Sequence, residues 1–473
     1  FRVKDPMEKE GTPFHEDRFK FGFYPGNLLS NWRNLNDAQV ILHNFWSDAH
    51  CPIASIDPKS LIVTLETPSW RKFTDDNTDL GARYFVDNVF EAMDEAGEWY
   101  LDRPTGKLYY FAKPDEDMTT ADVIAPELDQ MLLFKGNPEA QDFIEHITVS
   151  GLTFAHSDWH LPSGDAGDHQ AADSVPGAIE FIGARNITIE NCRFEHLGTY
   201  GMEILDGCRD IKIQKNYVQD LGGGGIKISG GRAGTDSLLK TSHITFSDNS
   251  LEEMGRLYKA SVGVLLRHAS DNVISHNLIK DLYYTGISVG WEWGYEPSAA
   301  YNNLVEYNHV ENVGQGLLSD MGGIYLLGIS PGTVVRNNLV TNVYSHGYGG
   351  WGIYTDEGSS EILIENNIVY DTKSAGFHQH YGRNNTIRNN IFAYGKIAQL
   401  MRSRDEEHLS FTFERNIVYW KDSELLEKRW DGDTTKFYFK NNLYYRYDDQ
   451  PIRFMKFSVE KWRDQGQDES SLF

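Results

Sequence analysis

The sequence has few cysteines, a deficit of basic residues and no long apolar run. Its 473 residues include only Cys51, Cys192 and Cys208, an odd and sparse set that gives no disulfide framework and does not identify a redox compartment. Lysine and arginine number 44 against 69 acidic residues, and the formal net charge is −25. This balance argues against nucleic acid and against an anionic membrane surface, since both are bound through basic patches. No apolar run reaches the length of a membrane-spanning helix.

The sequence also lacks a visible leader peptide, and it begins with Phe1 rather than methionine. A processed or trimmed N-terminus explains both features. We expect a secreted, periplasmic or cell-surface protein whose signal peptide is absent from this chain. Aromatic residues are abundant at 13%. They suit either core packing or a surface on which sugar rings stack.

The strongest positive signal is an internal repeat. A short alternating run rich in β-branched residues is followed by asparagine and then by an apolar residue two positions later. From Cys192 onward, steps between successive copies run from 23 to 33 residues, a period typical of a coil of three short strands with variable turns. Cys192 replaces asparagine in the second copy, and the first copy is weaker. The eleven copies lie at 147–154, 187–194, 211–218, 244–251, 273–279, 304–310, 334–340, 362–369, 387–392, 411–418 and 437–444.

Period-two alternation predicts strands, and the repeat therefore predicts an all-β fold, a right-handed parallel β-helix of about eleven coils. Stacked coils bring the repeated asparagines about 4.8 Å apart. Each amide can then donate to one neighbour and accept from the other inside the bend. We interpret the asparagine column as structural rather than catalytic.

A second strand follows each asparagine unit and usually opens with glycine. Alternation divides its residues into an apolar inward set and a chemically varied outward set. The inward set is Ile226/Ile228, Val264/Leu266, Ile287/Val289, Ile324/Leu326, Ile353/Thr355 and Phe377/Gln379. The outward set is Glu203, Lys227, Leu265/Arg267, Ser288, Tyr325, Tyr354/Asp356 and His378/His380. A purely structural face would not need this mixture of charge, phenol and imidazole, so we place function on the outward set.

Residues 1–140 lack the asparagine pattern and read as short strands joined by turns, at 38–43, 61–66, 98–102 and 107–111. We interpret them as a β-rich, sandwich-like accessory module, with the β-helix as the catalytic domain over 141–473. Two longer loops, 158–176 and 291–297, interrupt the coil, and long insertions in a regular coil tend to be functional.

The densest chemistry lies between 317 and 383. Asp320 and Asp356 are the candidate catalytic pair, because glycosidic cleavage needs a proton donor and a second carboxylate as nucleophile or base. Asp320 lies four residues before Ile324, whereas Asp356 lies three residues after the matching Ile353. Along extended strands that is an offset of about 7 residues, or about 23 Å. Direct pairing therefore requires 319–323 to fold back, which Gly322-Gly323 would permit. Otherwise Asp356 or Glu357 needs another partner, such as Glu292. Asp356-Glu357-Gly358 also fits a simple turn at a strand end.

Other side chains are candidates for contact with substrate. His378 and His380 share a strand face as metal ligands sometimes do, but no third ligand stands at a telling spacing, so hydrogen bonding to substrate is the better interpretation. We expect no metal and no cofactor. Lys227, Arg267 and His268 could form a basic patch that admits a uronic-acid polymer despite the net charge. The remaining candidates are Glu357, Tyr325, Tyr354, Arg383, Trp351, the loop residues Trp291, Glu292 and Trp293, and Trp159.

The strings at 318–325, 349–359, 376–384 and 285–294, with the segment 151–170, resemble glycoside hydrolase family 141 over essentially the whole chain. That resemblance implies a right-handed β-helix with α-L-fucosidase or xylanase activity, and it implies that Asp320 and Asp356 are the catalytic acids. A related family, the family 120 β-xylosidases, also interrupts its coil with a β-module. Relative to such proteins, we expect N-terminal coils and a terminal strand to lie beyond the two ends of this chain.

The leading hypothesis is a glycoside hydrolase acting on a plant or algal glycan, with removal of α-L-fucose as the first choice and cleavage of xylan or a xyloside second. A polysaccharide lyase would use Lys227 or Arg267 as base, together with Ca²⁺. A non-catalytic glycan-binding or adhesin β-helix would bind without turnover. Endo or exo action and retention or inversion stay open, and the separation of the two carboxylates bears on the last.

Overall fold

The computed structural model describes residues 1–4, 17–76, 78, 80–430 and 436–473. The chain divides into two compact units, the first formed by Phe1–Pro126 with His160–Ser174 and the second by Glu127–Trp159 with Val175–Phe473. The boundary near 126 precedes the expected one at 140, because Leu132–Lys135 pairs in parallel with Gly177–Ile182 as the first strand of the coil. The segment 160–174, which the sequence assigned to the coil, belongs to the first unit.

The second unit is a right-handed parallel β-helix built from three sheets of eleven strands each, which confirms the predicted fold class. Sheet 1 holds the strands that precede the asparagines: Thr148–Ser150, Thr188–Glu190, Lys212–Gln214, Thr245–Ser247, Val273–Ser275, Leu304–Glu306, Val334–Arg336, Leu363–Glu365, Asn385–Arg388, Phe411–Glu414 and Phe437–Lys440. Sheet 2 holds those that follow them: Thr153–Ser157, Arg193–Leu197, Tyr217–Leu221, Ser250–Glu252, Leu278–Leu282, His309–Val313, Leu339–Val343, Ile368–Thr372, Ile391–Ala393, Ile417–Trp420 and Leu443–Arg446.

Sheet 3 contains the strands that the sequence marked by a leading glycine. Its members are Leu132–Lys135, Gly177–Ile182, Tyr200–Ile204, Ile226–Ser229, Val264–Arg267, Ile287–Gly290, Gly322–Leu326, Trp351–Thr355, Phe377–Gln379, Ala398–Arg402 and Glu424–Lys428. The predicted inward residues stand in register from coil to coil, as Ile287, Ile324, Ile353 and Phe377 illustrate. All four are fully buried, so stacked apolar rows form the core of the helix.

The asparagine column forms a continuous ladder between sheets 1 and 2. Asn308 is representative: its amide nitrogen donates to Asn338 Oδ1 at 3.0 Å and to the carbonyl of Ile274 at 2.9 Å. Its own Oδ1 accepts from the backbone N–H and the amide of Asn277, at 3.1 and 2.9 Å. The ladder satisfies backbone groups that would otherwise be buried without partners, which confirms its structural role.

At the head of the ladder, Cys192 still donates its backbone N–H to Asn216 Oδ1 at 2.9 Å. All three cysteines of the chain are buried free thiols. A shorter second ladder, in which the amide of Asn272 donates to Asn303 Oδ1 at 2.9 Å, stabilises another bend.

The first unit contains a five-stranded antiparallel sheet in the order Lys20–Gly22, Ile62–Leu65, Ser47–Asp57, Gln39–Asn44 and Arg83–Asp87. A separate antiparallel hairpin pairs Trp99–Asp102 with Lys107–Tyr110. The four strand segments expected before residue 140 are therefore all strands. Buried apolar side chains, among them Phe21, Val40, Ile53 and Phe73, form the core of this unit.

The remaining elements are short. Two small pairings join Ile144–Glu145 to Ala184–Arg185 and Arg453–Phe454 to Phe457–Ser458. Single 3₁₀ turns lie at Leu35–Asp37, Phe90–Ala92, Pro138–Ala140 and Gln170–Ala172, and one α-helix spans Val459–Arg463. Across the described residues, no helix has the length and apolarity needed to cross a membrane.

Candidate functional site

The two candidate aspartates lie at opposite ends of neighbouring strands of sheet 3. Asp320 comes two residues before the strand Gly322–Leu326, and Asp356 directly follows the strand Trp351–Thr355. His380 directly follows the next strand, Phe377–Gln379, so its side chain comes from the coil beside that of Asp356. Three consecutive coils therefore supply the site.

The chain turns at Asp320 itself. Asp320 has a left-handed backbone with φ of 52°, a conformation that aspartate tolerates better than most residues. Its N–H donates to the carbonyl of Tyr348 at 2.9 Å, and its carbonyl accepts from the Tyr284 hydroxyl at 3.0 Å. These two bonds fix the turn.

The expectation that Gly322-Gly323 makes this turn is wrong, because both glycines lie inside the strand. Glycine is needed at both positions because neighbouring side chains pack closely against the backbone. A Cβ on Gly323 would lie 2.4 Å from a methyl carbon of Val340, and one on Gly322 would lie 3.0 Å from the Cβ of Tyr354.

The hydroxyl of Tyr354 connects the two carboxyl groups. It lies 3.1 Å from Asp320 Oδ1 and 2.7 Å from Asp356 Oδ1. Those two oxygens are therefore within about 6 Å of each other, far less than the offset in sequence suggests. We call Asp320, Asp356, Tyr325, Tyr348, Tyr354 and His380 the carboxylate cluster.

The hydrogen bonds of the carboxylate cluster suit a pair that carries one proton. A phenol has a single proton, so Tyr354 can donate to only one of the two carboxyl groups. Its contact with the other is a hydrogen bond only if that carboxyl group is protonated. Asp356 accepts from the Tyr325 hydroxyl at 2.6 Å and lies 2.7 Å from His380 Nδ1. Asp320 accepts from the Tyr348 hydroxyl at 3.1 Å.

The shared proton is favoured on Asp320. Desolvation, followed by the negative charge of Asp356, raises the pKa of Asp320 from 3.8 to about 7. For His380, burial disfavours the charged ring, but the hydrogen bond and charge of Asp356 outweigh it, and the pKa of His380 is raised above 6.5. Burial together with the charge of the aspartates raises the pKa of the Tyr325 and Tyr354 hydroxyls well above 10, so both stay hydrogen-bond donors.

A packed aromatic layer lies beside Tyr354. The ring of His378 lies 4.1 Å from that of Trp351 and 4.8 Å from that of Tyr354, and Trp351 Nε1 donates to the sulfur of Met401. Burial, followed by the charges of His380 and Lys428, lowers the pKa of His378 well below 6.5, so the ring is neutral. Trp351 and His378 are each only 2% exposed. The expectation that they contact substrate is therefore replaced by a packing role that fixes Tyr354.

The two histidines have different partners. His378 Nε2 is paired with the Ser403 hydroxyl at 2.7 Å, whereas His380 is paired with Asp356. No group of three or more His, Cys, Asp or Glu side chains in the described part of the chain is arranged to hold a metal ion.

The loop after Gly290 lies against the turn that follows Asp356. Gly294 and Gly328 both donate their N–H groups to the carbonyl of Glu357, at 3.3 and 3.1 Å. The side chain of Glu357 accepts from the Tyr381 hydroxyl at 2.9 Å rather than pairing with Glu292. Ser359 N–H donates to the Asp356 carbonyl at 3.0 Å, so this segment is also the turn that its sequence suggested.

The tryptophans differ in accessibility. Trp293 is 42% exposed and meets the ring of Trp291 edge to face at 5.6 Å. Trp291 is largely buried and has φ of 99°, a strained conformation for a bulky residue. Trp159 is partly exposed and packs its ring edge against Tyr258 at 5.7 Å. Trp293 is the best placed of the three to stack on a sugar.

The basic patch expected from Lys227, Arg267 and His268 does not form. Lys227 is buried and pairs with Glu203 Oε1 at 2.8 Å, which cancels its charge. Burial, followed by the charges of Arg232 and Arg267, lowers the pKa of His268 to about 4, so this ring is neutral at physiological pH. Arg267 donates to the Ser229 hydroxyl at 2.9 and 3.1 Å. The sequence alone does not show whether an acidic side chain from another coil neutralises a basic residue.

Several residues of the site were not identified from the sequence, chiefly Tyr348, Tyr284 and Tyr381. Tyr348 lies in the glycine-rich segment just before Trp351, and Tyr381 lies within the string at 376–384, so both were near recognised motifs. Tyr284 precedes the Gly-led strand of its coil. Each contacts an acidic residue of a different coil, a relation that no local pattern contains.

Comparison with known proteins gives the family and the fold. The family model described as the right-handed β-helix region matches residues 145–239, 177–342 and 237–418, which together cover more than half of the chain. No curated protein sequence matches. Among solved structures, one titled glycoside hydrolase is 22% identical, with a TM-score of 0.65 over 82% of this chain and 73% of that chain.

Two further matches are more distant. PfbA, a surface adhesin of Streptococcus pneumoniae, is 13% identical, with a TM-score of 0.47 over 71% of this chain and 80% of its own. XylC in complex with xylose is 13% identical, with a TM-score of 0.46 over 93% and 71% of the two chains. At 22% identity, the likeness to the structure titled glycoside hydrolase establishes the fold alone, and the chemistry has to be argued from the carboxylate cluster.

Proposed function

The chain belongs to the right-handed β-helix family, and we propose that it is a glycoside hydrolase that cleaves a plant or algal cell-wall glycan with Asp320 and Asp356. The proposal rests on one observation above all. Two carboxyl groups on adjacent coils share a bridging phenol within about 6 Å, yet differ in their surroundings. Pairs of titratable groups with different surroundings are the usual source of an acid and a nucleophile in one site.

We assign Asp320 as the general acid and Asp356 as the nucleophile. With its pKa raised to about 7, Asp320 holds a proton that it can give to the departing glycosidic oxygen near neutral pH. Asp356, held by Tyr325, Tyr354 and His380, attacks the anomeric carbon and forms a covalent glycosyl intermediate. Asp320 then removes a proton from water as that intermediate is hydrolysed.

A retaining mechanism is the one that we adopt for two carboxyl groups linked through one phenol. Retaining glycosidases keep their two carboxyl groups about 5–5.5 Å apart, whereas inverting enzymes separate them by about 6.5–9.5 Å to admit a water molecule. One oxygen of Asp320 and one of Asp356 lie within about 6 Å of each other, a limit that the retaining arrangement satisfies. His380 and the tyrosines are positioning residues, since they act by orienting the carboxyl groups.

The lyase alternative fits the geometry poorly. A lyase needs a base that can remove a proton from the sugar ring. Lys227, the first candidate, is buried in its pair with Glu203 and also donates to the carbonyl of Val175 at 2.7 Å. Such a lysine is not exposed to a bound sugar. The hydrolytic mechanism has both of its required groups in contact through Tyr354.

L-Fucose is the sugar we favour at the cleaved bond. The choice rests on the resemblance of the strings at 318–325, 349–359 and 376–384 to glycoside hydrolase family 141, and β-xyloside cleavage is the second choice. Substrate would be met outside the cytoplasm, which agrees with the expectation of a secreted, periplasmic or cell-surface protein.

The test uses aryl glycosides of α-L-fucose, β-D-xylose and several other sugars with the parent and with Asp320→Asn, Asp356→Asn and Asp371→Asn. Asp371 lies in sheet 2, pairs with Lys396 at 2.7 Å, and serves as the matched control. Loss of a general acid typically costs about 10²–10⁴-fold in rate. Asp320→Asn should lose that factor on poor leaving groups and less on good ones, whereas Asp356→Asn should be inactive on all.

Full activity of Asp320→Asn and Asp356→Asn would disprove the site. A product that absorbs in the ultraviolet through a new double bond would instead support a lyase. Turnover of the xyloside but not the fucoside would keep the mechanism and change the sugar.

A further inference from the structure

Two arginines stand over tyrosine rings next to the carboxylate cluster. Arg404 Cζ lies 4.5 Å from the ring centre of Tyr381, and Arg383 Cζ lies 5.2 Å from that of Tyr295. The two tyrosine rings meet edge to face at 5.9 Å. We call these four residues the arginine rim. They come from the loop after Gly290, the end of the strand Phe377–Gln379 and the segment after Arg402, so three separate segments converge there.

The guanidinium groups of the arginine rim have no acidic partner within the described residues. This distinguishes them from arginines elsewhere on the coil, such as Arg388, which pairs with Glu365 at 2.7 Å, and Arg336, which pairs with Glu306 at 2.7 Å. The two acidic side chains that contact the tyrosines of the rim have other partners. Glu357 accepts from the Tyr381 hydroxyl, and Glu406 accepts from the Tyr295 hydroxyl and pairs with His408 at 3.1 Å.

A cation–π contact with a ring leaves the N–H donors of a guanidinium group available. Arg404 is exposed and Arg383 is partly exposed, so these donors face solvent. Five donors on a planar, oriented fork match the two oxygens of a carboxylate or a sulfate ester. In a chain with a net charge of −25, a local pair of unneutralised cations is where an anion would be attracted.

The rim lies one side chain away from the reacting carboxyl groups. The ring of Tyr381 is 5.1 Å from that of His380, which in turn is bonded to Asp356. Arg404 is thus within about 10 Å of the His380 ring. This limit places Arg404 within reach of a sugar next to the cleaved residue. Exposed Trp293 belongs to the same loop as Tyr295 and can support that sugar by stacking.

We propose that the arginine rim is a subsite for an anionic sugar, so that the substrate is an acidic glycan bearing a carboxylate or a sulfate ester next to the cleaved residue. The inference names the substrate class of the proposed glycosidase and rests on that function for its biological meaning. The arginine rim takes the place of Lys227, Arg267 and His268, the residues first expected to bind an acidic polymer.

Binding measured by calorimetry tests the subsite without turnover. The full chain carrying Asp320→Asn is titrated with galacturonic acid oligosaccharides and with the same oligosaccharides after reduction of their carboxyl groups. A second pair of probes is sulfated fucan oligosaccharides before and after desulfation. Each charge-assisted bidentate contact is expected to change affinity by about tenfold or more. Added salt should weaken binding of the anionic probes only.

The variants are Arg383→Met and Arg404→Met, with Arg388→Met as the control on sheet 1. Both rim variants should bind the anionic probe at least about tenfold more weakly, leave the affinity for the neutral counterpart unchanged, and differ from the control. The probe pair that responds identifies carboxylate or sulfate as the anion. Equal affinity for charged and neutral forms, or equal loss in Arg388→Met, would overturn the proposal.

Binding and hydrolysis separate this inference from the proposed function. Hydrolysis of aryl fucosides with no arginine-dependent binding of either anionic probe would leave the glycosidase and remove the subsite. Arginine-dependent binding with no hydrolysis of any glycoside would leave the subsite and remove the enzyme.

Discussion

Replacing Asp320 with asparagine should stabilise the protein at neutral and alkaline pH, even though it removes the proposed acid. Asp320 has a folded-state pKa of about 7 against an ordinary value of 3.8, because burial and the charge of Asp356 disfavour its ionised form. A carboxyl group with a raised pKa holds its proton more tightly in the folded state than in the unfolded state. The stability that the protonated Asp320 side chain contributes is therefore fully present below pH 3.8 and is lost as the pH rises through 7.

The magnitude follows from the shift. Each unit of pKa difference corresponds to about 1.4 kcal/mol, so a shift of about three units corresponds to about 4 kcal/mol of lost stability above pH 7. Water reaching the partly exposed side chain reduces this, so about 4 kcal/mol is an upper bound. Asparagine keeps the shape and can still accept from Tyr348 while donating to Tyr354. The variant should therefore gain stability increasingly between pH 4 and pH 7 and keep a constant advantage above it.

The assay is the unfolding midpoint in guanidinium chloride, measured at intervals from pH 4.5 to 8.5 for the parent and the variant. Asp448→Asn is a control of opposite sign. The hydrogen bond from Arg446 lowers the pKa of Asp448 below 3.8, so that variant should be less stable than the parent by an amount that stays nearly constant across this pH range, which lies above the titration of Asp448 in both the folded and the unfolded state. The reasoning would be refuted if Asp320→Asn were less stable than the parent at pH 8, or if the difference did not change with pH.

Two further predictions concern the scaffold. Asn308→Leu should lower stability by about 2–6 kcal/mol, because it leaves the buried Asn277 N–H and Ile274 carbonyl unpaired at about 1–3 kcal/mol each; a denaturant midpoint equal to that of the parent would contradict the structural role of the ladder. Lys227→Met should cost about 3–5 kcal/mol by leaving Glu203 buried without its cation, and adding Glu203→Gln should restore part of that loss. A double variant as unstable as the sum of the two single variants would show that the pair is not coupled.

Local sequence pattern determined the coil. The asparagine repeat identified eleven coils, and alternation gave the inward rows of sheet 3 residue by residue, because strand direction and side-chain alternation are set within a few residues. The ladder of amides was predictable because each coil places one asparagine at the same bend. Even the strand residues of the candidate site, Tyr325 and Tyr354, were identified, since the Gly-led strands are in register.

The tertiary structure decided everything that depends on irregular segments or on pairing between coils. Asp320 and Asp356 meet at Tyr354 because the chain turns at Asp320, a conformation fixed by hydrogen bonds from Tyr284 and to Tyr348 rather than by the adjacent glycines. Lys227 does not contribute to the expected basic patch because it forms an ion pair with Glu203 of the neighbouring coil. The segment 160–174 left the coil for the first unit. Sequence specifies which residues can ionise, whereas the partners that set their charge are distant in sequence and are brought near only by folding.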